Sequence, residues 1–441
     1  MLFGRPKGEL DMRPDTKLKA TLLIFLMASA TLVGCIGGDD EETETKESEN
    51  NETEETKPEW LDASDAGYTY ASDVDNHRSL MQDLCDIKAA ASSDGGYDFA
   101  EAKNIYMNGK NAQKDSGSYR TLAGFAAAEG KNHNYDSFYN MTGSVDAHIM
   151  AAMEGTGDFE NVSDTVRYQG IAKLTANMGM VAYTIHELGS AATKAAAGNV
   201  DNDSGAPHNW DEGWAFFHGP DEHWSCSPAY TMKKRAADFG TTTNDVSNAL
   251  SSTEAAMVAG LAALQANDST AYNDAINTVM KNLIITYSQA TLKYAMKMDS
   301  NDTAAKYQAE GYAFWKTMEA YAAPYTDDGC YNMAAHYVHM MGDVDAAACD
   351  AFVWTNGSRD ANGTNDTCYN SVTHATVSGA TEEICDGFGG YFYENYGATQ
   401  INNILDLTDE SQLGTSYDLT AHLQPVWDHY GITADDIGTY E

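Results

Sequence analysis

Positive charge is what this chain has least of. Against 66 Asp and Glu stand 26 Lys and Arg, a formal net charge of −40 at pH 7. A field of that sign repels phosphate backbones, which argues against nucleic acid as a partner. After Cys35 there are only five arginines, Arg78, Arg120, Arg167, Arg235 and Arg359. Proline is also scarce: between Phe99 and Tyr325 it occurs only at Pro207, Pro220, Pro228 and Pro324, so long helices can run unbroken between these points. No Gly-x-Ser-x-Gly, His-Glu-x-x-His, Cys-x-x-Cys or Gly-rich phosphate loop occurs. Their absence argues against a nucleophile-elbow hydrolase, a zincin, a zinc ribbon and a phosphate-loop nucleotidase. The N-terminal apolar run Thr21–Ala28 is too short to span a bilayer. What remains is an acidic exported chain with no enzymatic signature.

What is present begins with that apolar run. Lys17 and Lys19 precede it, and Leu32-Val33-Gly34-Cys35 follows it. A basic stretch, a short apolar segment and a small-residue cleavage site make a signal peptide. The cysteine after Leu-Val-Gly resembles a lipobox, so lipidation is expected at Cys35, on the outer face of a membrane. Residues 35–59 are nearly all acidic and polar, a composition that cannot repay its ordering entropy and predicts a disordered tether. Seven cysteines minus Cys35 leave six: Cys85, Cys226, Cys330, Cys349, Cys368 and Cys385. An even number in an exported chain predicts up to three disulfides, and proximity favours Cys330 with Cys349 and Cys368 with Cys385.

The rest predicts an all-α, internally duplicated helical bundle with a loop-rich, disulfide-stapled C-terminal region. Ile171, Leu174, Met178, Val181, Ile185, Leu188 and Ala192 recur at spacings of three and four, one apolar stripe of a helix over 166–197. A second helix is expected over 274–298. Glu212-Gly213-Trp214-Ala215-Phe216-Phe217 returns as Glu310-Gly311-Tyr312-Ala313-Phe314-Trp315, each after a long amphipathic helix, which indicates a duplicated unit. The expected organisation is a signal peptide (1–34), a tether (35–59), a first helical half (60–270), a second (271–348) and a Cys-containing cap (349–441). Gly, Asn, Asp and Thr over 356–367 and the stretch Phe388-Gly389-Gly390-Tyr391-Phe392 mark that cap as non-helical.

The densest ligand-type residues lie in the first half. His186-Glu187 sits on the first long helix, and His208-Asn209-Trp210-Asp211-Glu212 follows its connecting loop. Oxygen donors with imidazole suit iron, manganese or zinc. The candidate cation site is expected between the halves, with Glu212 and Glu310 as quasi-equivalent donors and His186, Glu187 and Asp211 in support. Arg167 or Arg235 is the candidate holder of an anion.

Several short motifs, in order, resemble the algal low-iron-inducible periplasmic proteins and the related phytotransferrins. They include Ala102-Lys103-Asn104-Ile105-Tyr106-Met107-Asn108-Gly109, Tyr119-Arg120-Thr121-Leu122-Ala123-Gly124-Phe125, Ile185-His186-Glu187-Leu188, Trp210-Asp211-Glu212-Gly213-Trp214 and Ala309-Glu310-Gly311-Tyr312-Ala313-Phe314. The resemblance implies an extracytoplasmic helical protein that captures Fe(III), with carbonate as a synergistic anion, for a membrane iron transporter. It supports Glu187, Asp211, Glu212, Glu310 and Arg235 as family-matching positions. The Trp-Asp-Glu-Gly segment is also similar to imelysin-like lipoproteins, whose Gly-x-His-x-x-Glu motif is missing. The alternatives are therefore an imelysin-like lipoprotein with peptidase or other activity, or a surface protein with a purely structural role.

Overall fold

The structure, a computed structural model, describes residues 64–131, 133–355, 367–377 and 380–440. The expected signal peptide, Cys35 and the acidic tether lie outside the described residues, as does the polar stretch 356–366.

Helices dominate. A two-stranded hairpin, β1 (Ser64–Asp65) and β2 (Tyr68–Thr69), leads into the short α1 (Asp75–Arg78) and α2 (Leu80–Ala91). Then come α3 (Phe99–Asn108), α4 (Leu122–Ala126), α5 (His133–Tyr139) and α6 (Ser144–Glu154). The first predicted long helix is α7 (Asp164–Lys173) continuing through a π-helical turn (Leu174–Gly179) into α8 (Met180–Ala196). Next are α9 (Ala206–Phe217), α10 (Pro228–Asp238), the small hairpin β3 (Thr242–Thr243) and β4 (Val246–Ser247), and α11 (Asn248–Gln265). The second predicted helix is α12 (Ser269–Met296), followed by α13 (Ala304–Ala322). Starts are set by side chains that accept an orphan backbone N–H: Asp98 from Glu101, Thr121 from Gly124, Ser163 from Val166, Ser227 from Tyr230, Ser247 from Leu250 and Asp268 from Ala271.

The two Glu-Gly-aromatic motifs occupy matching places. Each lies on the second helix of a helical hairpin, α8–α9 and α12–α13. A Cβ on Gly213 would stand 3.2 Å from Leu188 Cδ2 and 3.7 Å from Glu187 Cβ. A Cβ on Gly311 would stand 2.8 Å from Leu405 Cδ2 and 3.5 Å from Tyr294 Cβ. Gly213 thus lets its hairpin partner press close, whereas at Gly311 the close neighbour is Leu405 from the C-terminal tail; the aromatics that follow, Trp214, Phe216, Phe217, Phe314 and Trp315, are buried in one core.

The disulfide-stapled part is narrower than the span from Cys349 to the end. It is a small β lobe of two three-stranded antiparallel sheets, ordered β10–β5–β6 and β7–β8–β9. Its strands are β5 (Asp328–Asn332), β6 (Tyr337–Gly342), β7 (Phe352–Thr355), β8 (Thr367–Asn370), β9 (Thr376–Val377) and β10 (Phe388–Tyr393), with short helices α14 (Ala346–Cys349) and α15 (Glu382–Asp386). Cys330–Cys349 ties β5 to α14, and Cys368–Cys385 ties β8 to α15. These four cysteines with Phe388 form a core of their own. The tail then returns to the bundle as α16 (Tyr396–Ile404), α17 (Thr420–His429) and α18 (Ala434–Ile437). Ile401, Leu405, Leu423, Val426 and Trp427 are buried in the main core, Trp427 Nε1 donates to Ser288 Oγ (3.0 Å), and Gln289 Nε2 donates to the Ile437 carbonyl (2.8 Å). The third disulfide, Cys85–Cys226, joins α2 to the residue just before α10. Among the described residues no helix is long and apolar enough to cross a membrane.

Candidate functional site

The site is organised around a buried carboxylate. Asp211, fully buried on α9, accepts Tyr68 Oη (2.6 Å), the Ala71 and Ser72 amides (2.8 Å each) and Ser72 Oγ (2.8 Å). Burial pushes its carboxyl up to about 6 even though these donors pull it down, so it is charged at neutral pH. Four donors on one carboxylate pin the segment 68–72 to α9. Arg78 adds a two-pronged grip on Asp65, at 2.7 and 2.9 Å. Together these contacts seat α1, and with it His77, against α9.

There Glu212 is held by two imidazoles. His77 Nε2 lies 3.1 Å and His208 Nε2 3.2 Å from the same oxygen, Glu212 Oε1. His208 precedes Glu212 by four residues, one turn of the same helix. On the other side Glu187, on α8, feels the charge of Glu212, while Asn209 Nδ2 donates to Glu187 Oε2 (2.6 Å) and stands 3.5 Å from Glu212 Oε2. Phe125, Tyr183 and Phe216 wall the cluster, with His77 edge-on to Phe216 at 5.6 Å and Tyr183 packed on both phenyl rings.

The protons can be placed. Ser72 Oγ–H donates to Asp211, so it accepts from His208 Nδ1–H at 2.8 Å. A neutral His208 would then aim its Nε2 lone pair at a carboxylate oxygen, a repulsion that only a proton or a cation between them relieves. Burial lowers the His208 pKa, but the hydrogen bond and charge of Glu212 outweigh it and raise it. Burial raises Glu212, and His77 and His208 more than reverse this, so Glu212 is ionised. Glu187 is pushed up by burial and then by the charge of Glu212, so it is the protonated member of the pair. His77 is driven down to about 3 by burial and is neutral; its Nε2–H donates to Glu212 and its Nδ1 has no hydrogen-bond partner.

As it stands, no group of three or more His, Cys, Asp or Glu side chains among the described residues is arranged to hold a metal ion. The donors here are closed on one another.

A family model described as low iron-inducible periplasmic protein matches residues 61–345. The chain belongs to this family. The matched stretch holds every residue of the cluster and the whole of both helical hairpins. No curated protein and no solved structure matches the chain.

In this chain the expected ligands are distributed unevenly. Glu187 and Glu212 meet in the cluster. His186 sits at its rim, 3.9 Å from Glu187 Oε1 and 3.4 Å from Ser190 Oγ. Asp211 is adjacent but consumed by its four donors. Glu310 does not converge with Glu212, contrary to the expectation of one site between the halves. Its copy of the motif carries Lys306 where the first copy has His208, and Tyr294 where the first has Glu187, so Glu310 faces Lys173 (3.8 Å) and Lys306 (3.9 Å) instead. Arg167 caps α6, donating to the carbonyls of Ala152 (3.2 Å) and Met153 (2.5 Å) over the Phe99 ring. Arg235 pairs with Asp238, one turn on along α10, at 2.9 Å. Two central residues were not among the expected ligands. His208 was signalled by its one-turn offset from Glu212; His77, far off in the chain on a four-residue helix, carries no periodic cue.

Proposed function

We propose that this protein captures iron outside the cytoplasm, at the cluster of His77, Glu187, His208 and Glu212, and holds it for uptake. The observation that carries the reading is one carboxylate oxygen, Glu212 Oε1, 3.1 and 3.2 Å from two imidazole nitrogens among the rings of Phe125, Tyr183 and Phe216. Membership of a family described by its induction under low iron supports it. Two imidazoles and two carboxylates are a donor set that iron accepts. When bound, the cation takes the place of the proton between His208 and Glu212 and accepts the Glu187 carboxylate after its proton leaves. Asp211 and Ser72 keep His208 in the Nδ1–H form, which leaves Nε2 as the donor. If carbonate serves as a co-ligand, Lys131 is placed to hold it: its charge acts on His77 and Glu187, and its Nζ lies 3.2 Å from Tyr183 Oη. In this reading lipid on Cys35 tethers the body beside the membrane that the iron must cross, where a transporter would take it.

The test is metal uptake by the purified full chain. Wild-type protein supplied with ferric nitrilotriacetate, with and without bicarbonate, should retain about one iron per chain after desalting, and Glu212→Ala should weaken retention by roughly 10–100-fold. Wild-type protein that keeps no iron under either condition sinks the reading and leaves Glu187, His208 and Glu212 as a structural polar core.

A further inference from the structure

His218, the residue after α9, is 2% exposed and fixed on both faces and one edge. Its ring is stacked between the indoles of Trp214 and Trp224, at centroid separations of 5.1 and 5.5 Å and interplanar angles of 10° and 13°. Its Nδ1 lies 2.8 Å from the Gly219 carbonyl oxygen, which can only accept, so Nδ1 carries a proton. Burial lowers the pKa of the ring more than Gly219 and Asp221 raise it, so the imidazole is neutral and Nε2 keeps a lone pair. Among the described residues nothing donates to that lone pair. An imidazole oriented by a backbone carbonyl at one nitrogen, with the other nitrogen open, is how a metal-binding histidine is held.

The ring borders a cavity of about 350 Å³ whose wall also carries Asp221, Trp224, Lys233, Asp245 and Glu254. Asp221 and Trp224 come from the loop between α9 and α10, Lys233 from α10, Asp245 from the β3–β4 turn and Glu254 from α11. Three carboxylates thus stand against one lysine. Lys233 does not neutralise them: its Nζ lies over the Trp224 ring, 5.0 Å from the centroid, and it forms no ion pair with any of the three. The Ala66 amide donates to Asp221 Oδ1 at 3.2 Å, which leaves Oδ2 uncommitted. Glu254 is half-buried, and burial and the charge of Asp221 both raise its carboxyl. Like charges gathered beside an open lone pair are relieved only by a proton or a cation. The Cys85–Cys226 disulfide anchors the far end of the loop that bears Asp221 and Trp224.

We propose that this cavity is a second cation site, separate from the iron cluster, which takes a divalent transition-metal ion on His218 Nε2 and the carboxylates of Asp221 and Glu254. The imidazole nitrogen favours such an ion over calcium or magnesium, which prefer oxygen donors alone. The three donors are not yet closed on one point. His218 is the fixed one; the carboxylates of Asp221 and Glu254 move onto the ion, and water fills its remaining positions. The site uses none of His77, Glu187, His208 or Glu212, so it is tested where that cluster is disabled.

Isothermal titration of full-length, metal-free Glu212→Ala protein with Zn(II) should show one saturable site. Adding His218→Gln should weaken it by about tenfold or more. If the His218→Gln protein does not recover the wild-type circular dichroism spectrum, Glu254→Gln, at a half-buried position, carries the same expectation. Absence of saturable zinc binding to Glu212→Ala protein, or unchanged affinity in the folded variants, overturns the proposal. Iron retention by wild type is read separately, so failure of either site leaves the other standing.

Discussion

Ser72 bridges His208 and Asp211 through a single oxygen, so its hydroxyl fixes which ring nitrogen of His208 faces Glu212. Ser72→Ala keeps the backbone amide on Asp211 and removes only the bridge. Iron affinity is expected to fall by about 10-fold or more and stability by about 1 kcal/mol; Ser72→Thr should restore much of both. Equal iron affinity in Ser72→Ala and wild type would show that His208 needs no such orientation. A separate residue-scale expectation concerns Glu319, buried on α13, which accepts Tyr139 Oη and Lys316 Nζ at 2.6 Å each and Asn402 Nδ2 at 2.5 Å. Burial raises its carboxyl, but Lys316, Tyr139 and Asn402 hold it below the usual range. A depressed carboxylate contributes stability above its unfolded pKa, about 4.3, and that contribution is lost as pH falls through the lower folded value. Melting temperature should therefore drop steeply in wild type below about pH 4.3, and less steeply in Glu319→Gln, which starts from a lower neutral-pH stability. Parallel acid profiles would assign the drop to other groups. The sequence displayed Glu187 and Glu212 because they recur in helical patterns and in the repeated motif. It hid His77, which reaches Glu212 only because Asp211 and Arg78 fold the N-terminal segment back.

Helical elements were legible because period 3.6 survives in single sequences: the stripe from Ile171 to Ala192 lies along α7 and α8, although nothing in it announces the π-helical turn at Leu174–Gly179. The repeated Glu-Gly-aromatic motif marked two equivalent hairpins, but equivalence of backbone does not carry over to side-chain chemistry. The exchange of His208 for Lys306 and of Glu187 for Tyr294 leaves Glu212 facing imidazoles and Glu310 facing lysines. Disulfide pairing is also an element-scale matter, because each bond joins two elements across a loop of known length. Cys85–Cys226 closes 141 residues, against 19 and 17 for the two bonds of the β lobe. Loop-closure entropy makes the long crosslink worth about 5 kcal/mol and each short one about 3 kcal/mol. Cys85→Ser with Cys226→Ser should lower the urea midpoint of the helical body most. Cys368→Ser with Cys385→Ser should leave that midpoint nearly unchanged, because those cysteines belong to the separate small core. A larger loss from the second pair would mean that the lobe and the bundle unfold as one unit.

Over the whole molecule, the charge of −40 acts on folding and on capture with opposite signs. Self-repulsion opposes compaction, and salt screens it as the Debye length shrinks from about 30 Å at 0.01 M to about 3 Å at 1 M. Relief of about 2 kcal/mol raises the melting temperature of a body this size by about 2.5 °C. The same field gathers cations around the protein, so salt should slow their arrival. Fe(II) association, followed anaerobically by stopped flow, should slow by about tenfold or more between low and physiological salt, while dissociation, set by the contacts at Glu212, stays nearly constant. A sequence displays net charge fully but not where its few cations gather. That gathering matters here, because Lys173 and Lys306 both face Glu310 and offset the acidic field locally. Should the association rate prove insensitive to salt while the melting temperature still rises, the acidic surface serves solvation alone, and the pull on iron resides wholly in the pocket of His77, Glu187, His208 and Glu212.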